Sequence, residues 1–143
     1  MPKNTDLFLT AVENCQISKI VNADAANSKK LIFTAGANGS IVRSIIVTMD
    51  DTSQKTSQLW AFDGVNYALL GTFTILAQSG NVATTLPVSV LDYVYNLIDV
   101  FKRVDQAGNK IISLKAGWSL YWSNTVVVTN LKTQYITVLG EDF

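Results

Sequence analysis

No histidine occurs anywhere in this sequence, and there is one cysteine. Without histidine a Ser-His-Asp triad is impossible in its usual form, and so is a histidine metal site. A single thiol cannot close an internal disulfide, so no staple holds the fold. Cys15 therefore reads as a small buried hydrophobe; a nucleophilic cysteine would want a histidine beside it. Charge is scarce at 15% and balanced, with 11 basic and 11 acidic residues. A neutral chain has no global field to draw it onto nucleic acid or an anionic membrane. No apolar run reaches the length of a membrane-spanning helix. The N-terminus lacks the basic, apolar and small-residue order of a secretory leader. The expectation is a protein made in the cytoplasm that stays there or leaves by a route other than secretion.

What is present points to strands. The segment Leu31 to Asp50, LIFTAGANGSIVRSIIVTMD, reads as two strands joined by a tight glycine turn. Glycine takes positive φ without steric cost and asparagine tolerates it, so Ala35 to Ser40 can reverse the chain. From Ile41 to Met49 the residues alternate, with Ile41, Arg43, Ile45, Val47 and Met49 on one face. Ser57 to Phe62 alternates too: Leu59 and Ala61 face one way, Trp60 and Phe62 the other. Asp63-Gly64 is a hairpin signal, and Tyr67 to Ile75 returns with a bulge at Gly71. Trp118 to Ser123 puts Trp118, Leu120 and Trp122 opposite Ser119, Tyr121 and Ser123. Cys15 to Val21, Ile111 to Leu114, the apolar stretch Thr125 to Thr129, and Tyr135 to Leu139 complete the series.

Residues 82 to 98 are ambiguous. Val90, Val94, Leu97 and Phe101 recur at helical spacing, and Ser89 with Asp92 resembles a capping box. Against that stand many β-branched and aromatic residues. The reading is a short helix near 89–98 and a strand near 100–104, paired with Ile111 to Leu114. The whole is an all-β, two-sheet β-sandwich, jelly-roll-like, with about eight strands and at most one short helix. Residues 1–13 form an N-terminal arm or first strand, and 14–143 a single domain.

Catalytic signals are sparse. AGANGS is followed by neither a Lys-Ser/Thr pair nor a helix, so it is no phosphate loop. Asp50-Asp51 raises calcium, but two adjacent aspartates in a turn are more often solvated. The expectation is a non-enzyme with no cofactor and no metal. Lys29-Lys30 and Lys102-Arg103 read as solvated strand edges, a subunit contact being the second reading for the latter. The aromatics Trp60, Tyr67, Trp118, Tyr121, Trp122 and Tyr135 read first as core. The sharper alternative is that those on mixed faces, such as Tyr121, form an interface or a sugar-stacking platform. The candidate interface residues are Tyr121, Lys102, Arg103 and Phe143.

Several segments together resemble a family of small tailed-bacteriophage virion proteins. They are TAGANGS at Thr34 to Ser40 with the strand Ile41-Val42-Arg43-Ser44-Ile45, LLGTFTILAQSGN at Leu69 to Asn81, and Leu86-Pro87. Asp105 to Asn109, Leu114 to Leu120 and the ending Val138 to Phe143 extend the likeness, with Glu141 where the family carries a second glycine. The resemblance runs from Val21 to Phe143. It implies a β-sandwich component of the phage head, a capsid auxiliary or decoration protein made in the host cytoplasm and carried on the capsid surface. The implied partners are the major capsid protein or other virion proteins. A homo-oligomer is expected, with a trimer fitting three-fold lattice positions, and neither nucleic acid nor membrane as partner. The alternative is a tail or spike module that binds host surface glycan.

Overall fold

A computed structural model describes residues 12–92, 102–104, 108 and 110–143. The strands are β1 (Val12–Val21), β2 (Lys30–Thr34), β3 (Ser40–Met49), β4 (Lys55–Phe62), β5 (Tyr67–Ile75), β6 (Val88–Ser89), β7 (Lys102–Val104), β8 (Lys110–Leu114), β9 (Ser119–Asn124) and β10 (Thr133–Asp142). One sheet runs β1-β10-β3-β8-β7, with the short β6 also pairing β3; the other runs β2-β9-β4-β5. All pairings are antiparallel. The eight longer strands are thus the two four-stranded halves of a jelly roll, β1-β10-β3-β8 over β2-β9-β4-β5. The ladder pairs β1 with β10, β2 with β9, β3 with β8, and closes at the β4–β5 hairpin.

Period-two alternation explains which residues fill the space between the sheets. On β4, Ser57, Leu59 and Ala61 are buried while Thr56, Gln58, Trp60 and Phe62 lie on the outer side. On β10, Gln134, Ile136, Val138 and Gly140 point in. Phe33, Val42, Ile45, Leu59, Leu120 and Trp122 are fully enclosed at the centre. Each side chain of this size stabilises the fold by about 1.5–3 kcal/mol through burial. Phe73 of β5 and Trp122 of β9, on either side of β4, stack within the core with ring centres 6.0 Å apart.

Three bulges modify the simple alternation. Opposite Leu139 and Gly140, β3 carries Arg43 as an extra residue, so Val42 and Ile45 both face the core and Arg43 turns to solvent. The expectation that Arg43, Ile45 and Val47 share a face is corrected accordingly: a bulge resets the pleat. On β2, Ile32 is the extra residue, which lets Ile32 and Phe33 both be buried. The bulge expected at Gly71 falls on its neighbour Leu70: Leu59 pairs with Gly71 and Trp60 with Leu69.

Other expectations change as well. The glycine turn does not make a hairpin of β2 and β3; it carries the chain from one sheet to the other. The Asp63-Gly64 hairpin is present, with Gly64 at φ 102°. Thr125 to Thr129 forms no strand: Val128 is buried, but Val126 and Val127 are exposed on a loop. The strand near 100–104 appears as β7, paired with β8. Of the expected helix, Val90–Asp92 is a single 3-10 turn, and residues 93–98 lie outside the described residues, as do 1–11 of the expected arm or first strand. β1 begins at Val12, inside the stretch expected to be an arm or first strand. Among the described residues Cys15 is exposed, on β1 at the end of its sheet and not in the core.

Candidate functional site

The outer face of the β2-β9-β4-β5 sheet gathers large rings from distant parts of the chain. In one cross-strand row Leu31 lies opposite Tyr121, Tyr121 opposite Trp60, and Trp60 opposite Leu69. The next row brings Phe62 opposite both Ser119 and Tyr67. The Leu31–Tyr121–Trp60–Leu69 row spans four strands, about 14 Å at the usual strand spacing. Tyr67 and Leu31 are exposed to 43% and 44%, values that place them on the surface and not in the core.

The rings pack on one another. Phe62 and Tyr67 stack at 4.4 Å between centres, and Tyr121 meets both edge-on, at 5.5 Å and 5.1 Å. Burial, the neighbouring Tyr67 hydroxyl and a hydrogen bond with it push the Tyr121 phenol up from its ordinary value. The Trp60 indole Nε1 donates to Ser123 Oγ at 2.9 Å, which fixes that ring on the sheet. Lys29 closes the cluster: its Nζ sits 4.3 Å from the Trp60 ring centre and 5.0 Å from that of Tyr67. A cation held over two ring faces in this way is attracted by their quadrupoles, at about 0.5–1 kcal/mol in an exposed setting.

Tyr121 therefore lies half-buried on the outer side of β9, opposite core residues Leu120 and Trp122. Of the other candidates, Lys102 and Arg103 lie on β7, the last of the described strands of the opposite sheet. Phe143 follows β10, its backbone N–H donating to Gly39 O at 3.2 Å. The structure does not bring these three to the Tyr121 face. Trp122 is core, Trp118 packs against the core, and Tyr135 is exposed on the outer face of the β1-β10-β3 sheet. Lys29 was missed: a lysine pair at a strand start carries no local sign of the rings it will cover. Lys30, its neighbour, pairs instead with Asp24 at 3.2 Å.

The Asp50-Asp51 pair has a structural task in place of the expected solvation. Asp51 is fully buried and accepts from the backbone N–H of Thr129 at 2.8 Å and of Ser53 at 2.9 Å, and from both their hydroxyls. Buried Lys55 lies 3.3 Å from its Oδ2. Burial pushes the carboxyl up, but these hydrogen bonds outweigh it and hold Asp51 far below the usual carboxylate range. Asp50 Oδ1 accepts from the Thr133 N–H. A calcium ion needs free oxygens, and here the oxygens are taken up by donors. Among the described residues no group of three or more His, Cys, Asp or Glu is placed to hold a metal ion, and no helix is long and apolar enough to cross a membrane.

Compared with known proteins, the chain matches no family model, no curated protein and no solved structure.

Proposed function

We propose that this chain is a non-enzymatic structural protein of a phage virion, a capsid auxiliary protein that binds the outside of the head and steadies it. The observation that carries the reading is a jelly roll with a partly exposed aromatic face, whose rings come from β4, β5 and β9 and whose edge is completed by Leu31 of β2. Tyr and Trp are over-represented among the residues that dominate protein interfaces, because they bury much area at small entropic cost. The likeness of TAGANGS, LLGTFTILAQSGN and the C-terminal segment to small phage virion proteins adds support. Many weak contacts repeated over a lattice gain strength by multivalency, more so if the chain is an oligomer.

A glycan-binding tail or spike module is the second reading. It draws on the half-buried polar side chains Gln58 and Thr72, paired beside the rings, which could hydrogen-bond sugar hydroxyls. It ranks second because Phe62 and Tyr67 stack on each other and Lys29 covers Trp60, so ring faces that a sugar would use are engaged. Co-sedimentation of the purified chain with empty heads separates the readings. Decoration predicts saturable binding at a copy number matching the capsid lattice, weakened by Tyr121→Ala. Absence of binding to heads, with binding to host cells or a defined sugar, would replace it with the second reading.

A further inference from the structure

Resting on the decoration reading, we propose that the chain meets the head through the outer face of the β2-β9-β4-β5 sheet, and that the occupant is an acidic capsid-protein surface whose carboxylate pairs with Lys29.

The charge distribution carries this. None of the four strands of the sheet contains an aspartate or a glutamate. Lys55 points inward to Asp51, and Lys30 is engaged by Asp24. The carboxylate at the end of β4, Asp63, is turned into its own hairpin and accepts from the N–H groups of Val65 and Asn66 at 2.8 Å and 2.7 Å. Among the described residues Lys29 has rings for neighbours and no carboxylate within ion-pair distance.

Among the described residues the face therefore joins rings and uncharged polar side chains to a single cation, Lys29, that has no carboxylate partner. Two copies packed face to face would bring like charges together with no anion between them, so a second copy of this chain is a poor occupant. A partner surface supplying the anion completes the site. An ammonium already held over two rings loses less side-chain entropy on pairing than a free lysine does. The surrounding rings would exclude water from the pair, and exclusion strengthens the attraction.

The test is co-sedimentation with emptied heads of the virus that encodes the chain, comparing wild type, Lys29→Glu and Lys19→Glu. Lys19 is exposed on β1, in the other sheet, and serves as the matched charge change. Lys29→Glu should weaken binding about tenfold or more, because it sets like charges against each other at the contact. Lys19→Glu should stay within about twofold of wild type, since Lys19 lies opposite exposed Tyr135 on the outer face of the other sheet and is no part of the ring face. Wild-type binding to heads that Lys29→Glu leaves unchanged, or that both variants weaken equally, overturns this assignment and leaves decoration standing. Wild type that does not bind heads overturns both.

Discussion

Asp51 has no accessible surface and still stays ionised, because five donors converge on it: two backbone N–H groups, two hydroxyls and the ammonium of Lys55. Substituting Asp51→Asn keeps the shape but strands Lys55 as an uncompensated buried charge. The expected loss is about 3–5 kcal/mol, read from urea denaturation at pH 7. The double variant Asp51→Asn with Lys55→Met should recover part of that loss, because both ionic partners are then gone. The pH dependence follows from the same carboxylate. Its folded value is depressed, so its contribution is full above the unfolded value of about 3.9 and is lost as pH falls toward the folded one. Wild-type stability should be flat from neutral pH to about pH 5 and fall steeply below about pH 4, with Asp51→Asn showing a shallower fall. Asp142 has the same sign, held down by hydrogen bonds from Ser40 and Asn14.

The last residues of β10 lock the crossover between β2 and β3. Asp142 Oδ1 accepts from Asn14 Nδ2 at 2.9 Å and from the Ser40 hydroxyl, which in turn accepts from the Gly36 N–H at 2.8 Å. Glu141 forms a two-point pair with Arg43, the bulge residue of β3, at 2.7 Å and 3.0 Å. TAGANGS and the closing Gly-Glu-Asp-Phe are thus two halves of one contact. Gly36 is glycine for want of room: a Cβ there would lie 2.6 Å from Asp142 Cγ. Gly36→Ala should destabilise by about 1–3 kcal/mol through displacement of the carboxylate. A double-mutant cycle with Asp142→Ala should show a double variant costing less than the sum of the singles, since both act on the same contact. Additive costs would show that Gly36 is needed for some other reason. At the neighbouring edge, β1 turns Asn14 and Ser18 onto the carbonyls of Thr34 and Leu31, so the free side of β2 is covered and not left open for wrong pairing.

Across the whole molecule the first strand pairs with the last. β10 lies between β1 and β3, and it also supplies Gln134 to a buried network. There Trp122 Nε1 and Asn124 Nδ2 donate to Gln134 Oε1 at 3.1 Å and 3.0 Å, and Gln134 Nε2 donates to Ser57 Oγ at 3.3 Å. Removing residues 133–143 takes away the neighbour of two strands and the partner of two buried donors. The truncated chain should lose its cooperative thermal transition and the near-ultraviolet signal of the packed Trp122. A two-state melt in the truncated chain would show that the sandwich tolerates an open seam. Jelly-roll pairing over such distances closes large loops before contacts reward it, so the full chain should refold in milliseconds to seconds or slower, as all-β domains do.

Legible in the sequence were the period-two pattern of the strands, the Asp63-Gly64 hairpin, and the sharing of one face by Trp60 and Phe62 opposite Leu59 and Ala61. These are local properties: alternation tells which side chains share a face, and turn residues tell where the chain can reverse. Tertiary structure alone decided that β2 and β3 lie in different sheets, that Cys15 is exposed, that Asp51 is buried, and that Lys29 rests on Trp60 and Tyr67. Each of those depends on which strands become neighbours, and pairing between residues far apart in the chain is set by the collective packing of both sheets. A bulge at Arg43, Ile32 or Leu70 shifts the register by one residue, and a one-residue shift moves every side chain beyond it to the other face.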